Sequence, residues 1–177
     1  NNMKRLIVLF LSALIICTAC SNGKQSIKED YVLYYVDPSK RELVGRGMNT
    51  KHSDAEGIVK EFYEALKIAP DENTASIVPA NVILNMYTIE KNVLYMDFSD
   101  NYMDMQNIEE ALFRAAVVKT MVQINGIDYV SFYINGQPLT NSNGNDVGYM
   151  NNLTFIDGNN TYDESITWVD TVLYFSD

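Results

Sequence analysis

Cysteine and histidine are nearly missing from this 177-residue chain, which holds two of the first and one of the second. Both cysteines, Cys17 and Cys20, close an N-terminal apolar run, so the body of the protein has none for a disulfide or a thiolate metal site. The lone histidine, His52, stands beside Ser53 at a helix start, and a Ser-His-Asp triad would have to depend on it alone. It reads as an exposed loop residue. Basic charge is scarce too, with 13 Lys and Arg against 23 Asp and Glu, a net charge of −10 and no basic cluster. Lys and Arg contacts to phosphate carry nucleic-acid affinity, so this balance argues against DNA and RNA and disfavours anionic headgroups as partners. The apolar run itself is short. It covers residues 6–16, whereas a membrane-crossing helix needs about 20 residues.

What the run does fit is a lipoprotein leader. Met3-Lys4-Arg5 supplies the basic start, residues 6–16 the apolar segment, and Thr18-Ala19 the small residues before a cleavage point. Residues 3–19 are therefore expected to be a lipoprotein signal peptide, leaving Cys20 as the mature N-terminus and the thiol that takes the lipid. Several acyl chains hold a protein firmly, at about 0.8 kcal/mol per buried methylene. This places the folded part at the cell membrane, on its extracytoplasmic face. Residues 20–30 form the lipidated cysteine and a polar, flexible tether. Loss of Lys4 and Arg5 with the leader leaves 11 basic against 23 acidic residues, a net charge of −12.

About 140 residues remain, enough to bury roughly two-thirds of the unfolded surface in one core. Residues 31–36 are rich in β-formers and end at Asp37-Pro38, a turn signal that marks a first strand. Ser53-Asp54-Ala55-Glu56 is spaced as a capping box, and Ala55, Ile58, Val59, Phe62, Leu66 and Ala69 then recur at helical spacing up to Pro70. Residues 82–89 and 92–98 flank a turn at Glu90-Lys91-Asn92, with Leu94, Met96 and Phe98 expected inward. Asn107, with Glu110 three residues on, opens a second helix whose wide apolar arc suits a deep position and which closes at Asn125-Gly126. Residues 127–134 form the next strand, and Asn135-Gly136 is a type I′ turn signal before Gln137-Pro138-Leu139. The order is β-α-β-β-α-β. This predicts an α+β two-layer sandwich with two helices on one face of a mixed β-sheet.

Residues 141–162 are rich in Asn and Gly and longer than most connecting loops. Tyr149, Met150, Phe155, Tyr162 and Trp168 lie in or near this loop, where aromatic rings could stack on sugars or anchor a protein. Tyr149, Phe155, Tyr162 and Trp168 are the candidate binding residues, although rings folded back on the core are the favoured explanation. Asp97, Asp100 and Asp104 cluster after a strand and could act as paired carboxylates in glycan hydrolysis, but a turn cluster is the plainer reading. Asp157, Asn159, Thr161, Asp163 and Glu164 alternate like calcium ligands. They lack the glycine and the correctly placed glutamate of an EF-hand loop, so no metal is expected. Asn152-Leu153-Thr154 matches a eukaryotic glycosylation pattern with no role in a bacterial lipoprotein.

Asn92-Val93-Leu94-Tyr95-Met96-Asp97-Phe98-Ser99, the Glu109-Glu110-Ala111-Leu112 helix, Gly126-Ile127-Asp128-Tyr129-Val130-Ser131-Phe132 and Asn135-Gly136-Gln137-Pro138-Leu139 together resemble the GerMN domain. The resemblance covers residues 31–162. It implies a non-catalytic lipoprotein of spore-envelope or cell-envelope assembly or germination, without catalytic residues or a cofactor. Val172-Leu173-Tyr174-Phe175-Ser176-Asp177 echoes residues 32–37 at a spacing of 140, so residues 163–177 are read as a linker and the possible start of a second, truncated copy. A closing strand of the first domain is the equal alternative. The expected partners are the membrane through Cys20 and an envelope protein or peptidoglycan. The competing functions are a cell-wall glycan hydrolase using the acidic cluster and a structural module that oligomerises through a strand edge.

Overall fold

The computed structural model describes residues 30–155. The leader, Cys20, Tyr162, Trp168, the alternating acidic loop from Asp157 and the echo at Val172 lie outside these residues. Along the chain run β1 (Tyr31–Asp37), β2 (Glu42–Met48), α1 (Ala55–Leu66), β3 (Leu84–Glu90) and β4 (Val93–Phe98). A 3₁₀ turn (Asp100–Asp104) leads into α2 (Asn107–Met121), β5 (Tyr129–Ile134), β6 (Gln137–Pro138) and a final 3₁₀ turn (Asn152–Thr154). This is the expected α+β order of strand, helix, hairpin, helix and strand, with two strands added: the short β6, which pairs with β5 across the Asn135-Gly136 turn, and β2, which pairs antiparallel with β1 from Tyr31↔Met48 to Asp37↔Glu42. With two glycines and two charges among its seven residues, β2 carries little β-forming signal. The Asp37-Pro38 turn does end β1, and Asp37 Oδ1 accepts from the Ser39 and Lys40 amides while Arg41 takes φ +57 to send the chain back.

The sheets are ordered β1-β2 and β3-β4-β5-β6, the second with a parallel β4–β5 pair crossed over by α2. The first strand therefore does not join the main sheet. Its second edge is already satisfied: Val32 N–H donates to Gln123 Oε1 (3.0 Å), Gln123 Nε2 donates back to the Val32 carbonyl (2.6 Å), Tyr34 N–H donates to Thr120 Oγ1 (3.2 Å) and Ala75 N–H to the Val36 carbonyl (2.9 Å). Two side chains, Thr120 of α2 and Gln123 just past its end, thus replace a neighbouring strand.

Both helix starts lie one residue from their expected places. Asp54, and not Ser53, caps α1, its Oδ2 accepting from Gly57 N–H (2.8 Å). At α2 the cap is Gln106, whose N–H donates to Glu109 Oε2. α1 also stops at Leu66, short of Pro70. The core forms between the helices and one face of the main sheet. Leu94, Met96 and Phe98 of β4 are fully buried with Val130 and Phe132 of β5, beneath Phe113, Val117 and Met121 of α2 and Phe62 and Leu66 of α1. Phe98 is central, with Phe132 at 5.1 Å and Tyr102 and Phe113 both at 5.5 Å between ring centroids. None of the helices among the described residues is long and apolar enough to cross a membrane.

Candidate functional site

Strand alternation that sends Leu94, Met96 and Phe98 inward must send Tyr95 and Asp97 to the opposite face. In-register pairing of β4 with β5 sets Val93 against Tyr129, Tyr95 against Ser131 and Asp97 against Tyr133 on that same outer face. The small Ser131 leaves room for rings on either side of it. The long loop then contributes one more. Met150 forms a two-way backbone bridge with Val130, each amide donating to the other's carbonyl at 2.9 Å, and its side chain is fully buried. A residue next to an inward-facing one in extended chain faces outward, so Tyr149 lands on the sheet's outer face.

The result is a cluster of four tyrosines. Tyr95 lies 6.0 Å from Tyr133 and 6.2 Å from Tyr149 between ring centroids, both edge to face, and Tyr129 lies 6.3 Å from Tyr149. Tyr149 is 59% exposed and Tyr129 37%. The Tyr95 and Tyr149 hydroxyls are hydrogen-bonded at 3.2 Å, and this bond, aided by partial desolvation, pushes the Tyr95 hydroxyl up to about 12. The Tyr95 hydroxyl therefore stays protonated at physiological pH. At its rim Asp97 holds the β5–β6 turn, Oδ1 accepting from Gly136 N–H (2.7 Å) and Oδ2 from Asn85 Nδ2 (3.2 Å). That turn has φ +47 at Asn135 and +77 at Gly136, the left-handed pair that a type I′ turn requires.

The candidate residues divide accordingly. Tyr149 joins an open aromatic face, whereas Phe155 packs partly buried against the core. Asp97 is bound up in the turn, and Asp104 accepts from its neighbour Asn101 (3.3 Å). No cluster of three metal-ligating side chains occurs among the described residues. His52 lies exposed over the first turn of α1, where its ring occupies space that a side chain at Gly57 would fill. Tyr95, Tyr129 and Tyr133 are the residues that reading the long loop alone passes over. Their signal was period-two alternation, which puts three tyrosines on the polar side of two adjacent strands.

Residues 32–140 match the family described as Germane, sporulation and spore germination. The chain belongs to that family. The tandem GerMN domains of the sporulation protein GerM from Bacillus subtilis superpose with a TM-score of 0.52 at 23% identity, over 66% of this chain and 43% of theirs. The first GerMN domain of the same protein gives 0.52 at 22% identity, over 66% of this chain and 90% of its own length. These likenesses show the fold, a GerMN domain, and the chain spans less than half of the tandem structure. No curated protein matches it.

Proposed function

We propose that this Germane protein is a non-catalytic module, lipid-anchored through Cys20 on the extracytoplasmic face of the membrane, that engages an envelope protein or peptidoglycan in spore-envelope assembly or germination. The observation that carries the reading is the exposed tyrosine cluster on the outer face of the sheet. A sheet covered on one face usually turns a polar face to water, and this mixed sheet turns four aromatic rings. Tyrosine offers large rigid contact area and a hydroxyl for hydrogen bonding, which suits both protein anchors and sugar rings. The Germane match supports the setting, and the leader motif supports the anchor. Two experiments test the reading. A photo-crosslinking phenylalanine analogue at Tyr149 of the full chain should give adducts with an envelope component in sporulating cells, and their absence would contradict it. Cys20→Ser should move the protein out of the membrane fraction, and unchanged partitioning would remove the anchor from the account.

A further inference from the structure

β2 and β3 each form an outer edge of their sheet, and their edges differ. β2 carries Glu42 and Arg46, the latter ion-paired with Asp71, and charges along an edge discourage pairing with another strand. β3 has no charge from Leu84 to Ile89 and no proline. Among the described residues its backbone bonds only to β4. Counting back from the two-residue turn after Glu90, the N–H and C=O groups of Ile89 and Tyr87 point away from β4. Alongside this edge runs α1. Between the two is a groove of about 370 Å³, walled by Lys60, Tyr63, Glu64 and Lys67 on the helix and by residues 84–87 on the strand. Apolar surface flanks it, with Met86 60% and Ile83 59% exposed. Tyr63 is buried and its hydroxyl has no partner among the described residues. Lys67 pairs with Glu64, while Lys60 has no ion pair among the described residues.

We infer that this groove receives an extended acidic peptide segment of a partner protein, which adds as a further strand against β3 and sets a carboxylate beside Lys60 and Lys67. Backbone pairing to Tyr87 and Ile89 would hold the segment whatever its sequence, and alternate side chains would enter the groove toward α1. Charge selects the occupant. In a chain of net charge −10 an acidic peptide is repelled over most of the surface, whereas this groove, with Lys60 outside any ion pair among the described residues and Lys67 paired to Glu64, keeps one cation in excess. The site lies on the opposite edge of the main sheet from Tyr149 and goes beyond the function proposed for the tyrosine face.

The test is an amide NMR titration of the full chain, isotope-labelled and held in detergent micelles. The probes are the synthetic peptide Asp-Val-Thr-Val-Thr-Val-Asp and its counterpart with lysine at both ends. The acidic peptide should shift the Tyr87 and Ile89 amides and slow their hydrogen exchange. Affinity should fall about tenfold or more in Lys60→Glu/Lys67→Glu, whose exposed positions leave the fold intact by circular dichroism. Equal binding of the two peptides, shifts confined to Tyr95, Tyr129 and Tyr149, or no shift at about 1 mM peptide would overturn the proposal.

Discussion

Tyr95 shows how a single side chain reports on the outer face. Its hydroxyl value, raised from 10.0 to about 12, depends first on the bond to Tyr149 and second on desolvation. A raised value means that the folded protein holds this proton more tightly than the unfolded chain does. The resulting stability is present below pH 10 and is lost as pH rises toward 12. Tyr149→Phe should therefore bring the Tyr95 titration, followed by phenolate absorbance, back toward 10. An unchanged titration would show that the loop does not hold Tyr149 against the sheet. A second residue-scale outcome concerns the start of α1. Asp54→Ala should cost about 1 kcal/mol in denaturant unfolding, since it removes the acceptor for Gly57 N–H, and Ser53→Ala should stay within about 0.5 kcal/mol. Serine followed three residues later by Glu56 has the spacing of a capping box, and so does not by itself distinguish the cap from its neighbour. An aspartate in the next position is as good an acceptor, and backbone geometry decides between them.

At the scale of elements, alternation and helical spacing made β1, β3, β4, β5 and both helices legible, because each buries one face against a common core. Leu94, Met96 and Phe98 were readable as inward for the same reason. β2 was not, since Gly45 and Gly47 carry no side chain that could reveal a buried face. The partner of β1 was also hidden, because its edge is satisfied by Gln123 and Thr120, polar residues with nothing in their spacing to single them out. Gln123→Ala should expose this dependence. It strips two hydrogen bonds from Val32 at an exposed position, where water takes over part of their role, at a cost of about 0.5–1.5 kcal/mol. Hydrogen exchange should accelerate first in the β1–β2 hairpin. If instead the main sheet loses protection equally, the hairpin and sheet unfold as one unit and not through this local joint.

At the scale of the whole molecule, the two layers leave the tyrosine face uncovered among the described residues, and a lipid anchor at Cys20 would keep it close to the bilayer and the wall. A strongly acidic surface resists nonspecific binding to anionic polymers, so any envelope retention beyond that of a lipid anchor has to come from local contacts such as these rings. The site was half legible: Tyr149 was visible as an aromatic residue in a long loop, but its alliance with Tyr95, Tyr129 and Tyr133 depends on the Met150–Val130 bridge that brings the loop back to the sheet. The most direct measurement, made throughout in a Cys20→Ser background so that no lipid anchor contributes, is retention of the full chain on isolated cell envelopes with the tyrosines wild type, compared with Tyr129→Ala/Tyr149→Ala and repeated on protease-treated, protein-free wall. Wild type should be retained and the double variant lost from envelopes with its thermal unfolding unchanged, protein-free wall then separating a glycan or stem-peptide ligand from a protein one. Equal retention of wild type and the folded double variant would contradict the assignment of binding to the tyrosine face.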